Sequence, residues 1–255
     1  MTETLTEPAV ATLSAPMILY VFTLVLGVAA LVVFLMKRVK GCNAKAAIAK
    51  SWVSVCFMLT GFSALAVKGF SAFQTLICAG LLFGLLGDIW LDLKFCYPRD
   101  NDTFTKQGFL SFGIGHVFFC AAVIAGVAGG FKAVSILPAL GVAVVAALVV
   151  WFGEKAMGLH YGKYKLISTV YGGVLFFMAA FAFFCAVFSG FAPNRHLIVM
   201  AIGGVFFIIS DLILSGTYFG KDKNRPVDII VNHVTYYIAQ FIIASAVLFM
   251  AAETV

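Results

Sequence analysis

Asp88 and Asp211 stand inside apolar runs, in LLFGLLGDIWL and GGVFFIISDLIL. A carboxyl group placed there has to stay protonated or find a partner, and ionisable residues within hydrocarbon-length segments mark functional sites. Two aspartates that share a poorly solvated pocket can hold different charge states, one as acid and one as carboxylate. That is the pairing general acid–base catalysis needs. Other polar residues occur in similar apolar surroundings: His116, Tyr171, Ser210 beside Asp211, and the group His233, Tyr236, Tyr237 and Gln240. Asp92, four residues after Asp88 and two before Lys94, reads differently, as a solvated or interfacial acid at a helix end.

These residues must be positioned within a membrane. Of the 255 residues 63% are hydrophobic and 11% charged, against about a quarter charged in soluble domains, which excludes an ordinary soluble fold. Apolar runs long enough to cross a bilayer, about 20 residues each, lie near 17–36, 51–67, 71–93, 108–130, 133–152, 166–188, 197–219 and 229–250. The expected fold is therefore all-α, a single integral membrane domain of eight transmembrane helices, with residues 1–16 as a short non-cytoplasmic tail rather than a targeting peptide. Lys and Arg number five in the first loop and three in each of the third, fifth and seventh, but one in each even loop. By the positive-inside rule the odd loops are cytoplasmic and both termini are not. The net charge of +6 is thus a topology signal, and nothing resembles a nucleic-acid surface. The six cysteines show no CxxC spacing and read as free thiols.

Depth brings the polar residues together. At a rise of about 1.5 Å per residue, Asp88 lies roughly 9 Å before Lys94 and Asp211 roughly 15 Å before Lys221. Their helices run towards the cytoplasm. Helices four, six and eight run the other way, and they place His116 eight residues after Gly108, Tyr171 six after Lys165 and Tyr236 eight after Asp228. All five helices deliver polar groups to the cytoplasmic half, which predicts one pocket. Gly80, Gly84 and Asp88 share a face of helix three, and small residues let membrane helices pack closely. His233, Tyr236, Tyr237 and Gln240 form a stripe on helix eight. LLFGLLGDIWL is similar to GGVFFIISDLIL, and GHVFFCAAVI to NHVTYYIAQFI, as in a parallel four-plus-four repeat. Neither His116 nor His233 has a second strong ligand at metal-binding spacing on its own helix, so neither a metal nor another cofactor is expected.

The blocks LGDIWL, GHVFF, the Tyr171, Leu175, Met178 spacing, GGVFFIISDLIL and TYYIAQ, in that order, resemble the YhhN-type family, the lysoplasmalogenases. Lys50 also resembles a family lysine, although Ser51 stands where a proline often follows. The resemblance implies an eight-helix hydrolase of bacterial plasma membrane or endomembrane. Such an enzyme cleaves the vinyl-ether bond of lysoplasmalogens to a fatty aldehyde and glycerophospho-ethanolamine or glycerophospho-choline. It makes Asp88 and Asp211 catalytic, one as the general acid and the other stabilising the cation and activating water; the more apolar flanks of Asp88 favour it as the acid. His116, Tyr171, Ser210, Tyr236, Tyr237 and Gln240 become orienting or substrate-binding residues, and Lys50 is expected to meet the phosphate. The partners are the lysophospholipid substrate and membrane lipids. The rival expectation is a transporter or channel whose paired aspartates carry protons or cations, and a further one is a lipid-binding scaffold without chemistry.

Overall fold

A computed structural model describes residues 13–221 and 224–250. Most of the tail expected over residues 1–16 and Lys223 of the seventh loop therefore lie outside the described residues. Among the described residues eight helices are long and apolar enough to cross a membrane: α1 Ala15–Arg38, α2 Ala44–Lys68, α3 Ala72–Cys96, α4 Asn101–Gly126, α5 Ile136–Phe152, α6 Lys165–Ser189, α7 Arg195–Phe219 and α8 Pro226–Ala246. No strand occurs among the described residues.

Two helices begin earlier than hydropathy places them. The stretch AKAAIAK, expected as loop, forms the first two turns of α2. Asn43 caps it by accepting a hydrogen bond from the Ala46 N–H at 3.1 Å, its alanines are strong helix formers, and Ala46, Ala49 and Lys50 are buried. Likewise α4 starts at Asn101 through the polar NDTFTKQ, where Thr105 is buried and donates to Asn101 Oδ1 at 3.0 Å. Polar residues can extend a membrane helix beyond its hydrocarbon length, and hydropathy alone does not report them.

Helices pack mainly as sequential hairpins, α1 on α2, α3 on α4, α5 on α6 and α7 on α8. The remaining principal pairs repeat between halves: α2 with α3 corresponds to α6 with α7, and α2 with α8 to α4 with α6. This is the arrangement a four-plus-four repeat gives. Within the α3–α4 hairpin the approach depends on glycine, since a Cβ on Gly115 would lie 3.1 Å from the Gly80 carbonyl oxygen and one on Gly87 would meet the Phe112 ring. Such contacts supply the dispersion energy that holds helices together in lipid. Outward faces carry large apolar side chains such as Leu137, Val145 and Phe152, as a surface in hydrocarbon requires.

The α5–α6 connection is tied down by Glu154. Its carboxylate accepts from the Tyr161 backbone N–H at 2.5 Å and pairs with Lys165 at 3.1 Å. The Tyr161 N–H in particular holds this acid below the usual carboxylate range. Leu159 bridges to Gly220 at the end of α7, so the loop closes over that end of the bundle.

Candidate active site

Asp88 is the seventeenth residue of α3, counted from Ala72, and Asp211 the seventeenth of α7, counted from Arg195. Both face one cavity of about 350 Å³ among α1, α2, α3, α4, α6, α7 and α8, within the roughly 300–1,000 Å³ usual for ligand sites. Tyr171 of α6, Ser210 of α7 and His233 and Tyr236 of α8 line the same cavity, whereas His116 of α4, Tyr237 and Gln240 do not.

The two acids have unequal partners. Asp88 Oδ1 is 3.0 Å from Lys50 Nζ. Its Oδ2 accepts from Ser54 Oγ at 2.6 Å and from the Tyr236 hydroxyl at 2.7 Å. Asp211 Oδ2 accepts one hydrogen bond, from the Tyr171 hydroxyl at 2.5 Å. Lys50 is the seventh residue of α2 and Tyr171 the seventh of α6, so corresponding positions supply an ammonium to one acid and a phenol to the other.

The stripe on α8 supports Asp88. Gln240 Nε2 donates to the Tyr236 hydroxyl at 3.0 Å, completing a chain from Gln240 through Tyr236 to Asp88. Gly84 leaves the space for it, because a Cβ there would lie 2.7 Å from Gln240 Nε2. The Tyr237 hydroxyl lies 3.2 Å from Ser54 Oγ and from the Lys50 carbonyl oxygen, fixing the turn of α2 that presents Lys50. His233 lines the cavity with Nδ1 at 2.7 Å from the Ile229 carbonyl oxygen. The Ser210 hydroxyl bonds across to α8 rather than to the Asp211 carboxyl. Its Oγ donates to the Asn232 carbonyl at 3.1 Å and accepts from Asn232 Nδ2 at 3.0 Å, joining α7 to α8 at the cavity wall. His116 makes no hydrogen bond to either acid. It is buried, with neither ring nitrogen hydrogen-bonded among the described residues, edge-on to Phe207 at 4.7 Å and near Tyr171 at 5.7 Å.

Asp92 is not the solvated acid expected from its place near a helix end. It is 3% exposed, paired with Arg38 of α1 and 3.4 Å from Lys50 Nζ. Arg38 crosses over the end of α3 and removes water from it. Lys50 thereby bridges Asp88 and Asp92, so it is not free to serve as an isolated phosphate contact. Arg38, Ser54, Lys94 and Asn232 also belong to the site without having been singled out. The basic residues read as topology signals, and a helical serine commonly bonds only its own backbone; Ser54 does so too, to the Lys50 carbonyl at 3.2 Å. Lys94 lines the cavity with Nζ 3.3 Å from the centre of the Tyr218 ring, and among the described residues it has no carboxylate within ion-pair distance.

At the opposite end of the bundle, buried polar groups hold helix termini. Asn194 Oδ1 accepts from the Ala128 N–H at 2.8 Å, and Nε2 of His196 lies 2.8 Å from the Gly126 carbonyl. Among the described residues no group of three His, Cys, Asp or Glu side chains could hold a metal ion. All six cysteines are free.

No curated protein and no solved structure matches the chain. The family model described as YhhN family matches residues 46–247, a span that holds both aspartates, Lys50, Tyr171 and the whole α8 stripe, and the chain belongs to the YhhN family.

Proposed function

We propose that this protein is a lysoplasmalogenase, which hydrolyses the vinyl-ether bond of a lysoplasmalogen to a fatty aldehyde and glycerophospho-ethanolamine or glycerophospho-choline. The observation that carries the reading is the unequal partnership of two acids on one cavity. Lys50, Ser54 and Tyr236 give Asp88 an ammonium and two hydroxyl donors, a setting that keeps a carboxylate ionised. Asp211 has, among the described residues, one neutral donor and is the member able to carry the proton. This reverses the assignment that flanking residues alone suggest.

Vinyl-ether hydrolysis uses both states. Asp211 gives its proton to the alkene carbon on the chain side, and the carbon bearing the oxygen becomes an oxocarbenium ion stabilised by the Asp88 carboxylate. Water adds to that carbon and passes a proton to Asp88. As the hemiacetal collapses, Asp211 takes its hydroxyl proton while Asp88 protonates the departing glycerol oxygen, which restores both groups. Lys94, whose amine lines the cavity without a carboxylate within ion-pair distance among the described residues, meets the phosphate in place of Lys50. With the basic loops cytoplasmic, the cavity opens just below the head-group level, where a vinyl ether attached to glycerol lies.

Purified protein in lipid nanodiscs tests the reading by aldehyde release from lysoplasmalogen. Asp88→Asn and Asp211→Asn are each expected to lose about 10²–10⁴-fold, the usual contribution of a positioned acid or base. Aldehyde release that survives both substitutions together rejects the mechanism.

A further inference from the structure

The polar cavity is joined to an apolar space. A groove of about 890 Å³ runs between α5, α6 and α7. Six residues border both spaces, namely Phe109, Tyr171, Asp211, Leu214, Tyr218 and Phe219. The Asp211–Tyr171 pair therefore stands at the junction between a charged compartment and an apolar one. Beyond it α5 and α7 each pack on α6, whose Gly172 contributes to the groove wall, and Gly141, Val145, Val149 and Leu212 line the way outward. Val145, Val149 and Leu212 are 62%, 52% and 57% exposed. The groove is consequently open along its length to the surface that faces lipid.

We propose, resting on the hydrolase reading, that this groove holds the alkenyl chain of the substrate and admits it sideways from the bilayer between α5 and α7. A single-chain amphiphile is the occupant that fits both compartments: its anionic phosphate reaches Lys94, its chain fills the groove, and the bond between them falls at Asp211. The carbon to be protonated is the one on the chain side of the ether oxygen, which is where Asp211 stands. The first half of the bundle carries an apolar groove of about 510 Å³ between α1 and α2, lined by Leu26, Ala30, Val33 and Trp52, but it shares no lining residue with the polar cavity. There α8 lies across α1, with the Phe241 ring against Gly27 and the Tyr20 hydroxyl donating to Ser245 at 2.7 Å. A single chain reaches the cavity through the groove continuous with it, which favours lysolipids over two-chain lipids.

The test uses a non-hydrolysable alkyl-ether lysophosphoethanolamine with a photoreactive diazirine at its chain terminus, applied to the full chain in nanodiscs. Saturable labelling of α5 and α7, competed by lysoplasmalogen, is expected. Labelling confined to other helices, or not competed, overturns the proposal. Gly141→Phe provides the second arm, because no atom lies within 4 Å of the Cβ it would add and its ring would shorten the groove without disturbing the fold. Excluding a few methylenes should raise KM for a long-chain substrate about tenfold relative to a short-chain one. Equal changes for both chain lengths overturn the proposal, and Val25→Phe on the lipid face of α1 serves as the control that alters neither. Labelling of α5 and α7 by a protein that releases no aldehyde rejects the hydrolase reading and keeps the groove, whereas aldehyde release with labelling elsewhere does the opposite.

Discussion

Lys50 and Tyr171 occupy the same position of α2 and α6, and each contacts the aspartate at the same position of the following helix, Asp88 at 3.0 Å and Asp211 at 2.5 Å. A repeat would by itself give two equivalent acids. The change from ammonium to phenol breaks the equivalence, and it does so at the atoms that decide which acid keeps its proton. A symmetric scaffold thereby presents two carboxyl groups to one cavity while giving them different chemistry.

Removing the two partners should have different consequences for stability. Lys50→Met leaves Asp88 without its cation and Asp92 with Arg38 alone, all in a buried setting, and breaking a buried pair in this way costs about 3–5 kcal/mol. Tyr171→Phe removes one hydrogen bond between neutral donor and acid, worth about 1 kcal/mol, yet it disturbs the proposed proton donor. Thermal unfolding of the two variants in detergent, beside aldehyde release, should show Lys50→Met as the larger loss of stability and Tyr171→Phe as a loss of activity in a folded protein. Equal destabilisation would contradict the asymmetry.

Lys94 supplies a prediction about the head group. The Lys94 amine over the Tyr218 ring, without a carboxylate within ion-pair distance among the described residues, is the group an incoming phosphate would meet. Lys94→Met should raise KM for lysoplasmalogen about tenfold or more, as loss of a charge-assisted contact worth about 1.5–3 kcal/mol requires. The same variant should leave KM for the phosphate-free alkenylglycerol nearly unchanged. A similar rise for both substrates would place Lys94 in the architecture rather than in recognition.

The fold was legible in the sequence because its dominant constraint is one-dimensional. A bilayer demands apolar length, and eight runs of that length stand between basic loops. The acids were legible for the same reason, a carboxylate amid hydrocarbon being conspicuous. Pairing across helices was not. Asp92 lies near a helix end and so reads as solvated, and only the return of Arg38 over α3 buries it. Ser54 and Lys94 were equally silent, since a serine in a helix and a lysine beside a loop have ordinary explanations. His116 shows the converse. Its place in an apolar run drew attention, but its ring packs against Phe207 and bonds to neither acid.

Gly84 should behave as a positioning residue acting through Gln240. An added Cβ would come within 2.7 Å of Gln240 Nε2, the end of a flexible side chain that can swing away and release the Tyr236 hydroxyl. Gly84→Ala is then expected to lower kcat up to about tenfold, the loss of a hydrogen bond worth about 0.5–1.5 kcal/mol, with KM little altered. Because both changes remove the same contact, Gly84→Ala and Gln240→Ala should combine less than additively. Additive losses would show that the glycine serves helix packing instead.

The loop that closes over the end of α7 should respond to acid. Glu154 accepts from the Tyr161 N–H and pairs with Lys165, and it is held below the usual carboxylate range, chiefly by that N–H. A group whose value is depressed in the folded state stabilises that state above the unfolded value and loses the contribution as pH falls through the folded one. The α5–α6 connection should thus be protected near neutral pH and become more open in acid below the usual carboxylate range. Hydrogen-exchange protection of residues 154–164, corrected for the intrinsic pH dependence of exchange, measures this directly. Glu154→Gln should show the open level at both pH values, and a loop whose protection is insensitive to both acid and substitution would mean that the Leu159–Gly220 bridge and the Tyr164–Asp102 contact hold it in place without Glu154.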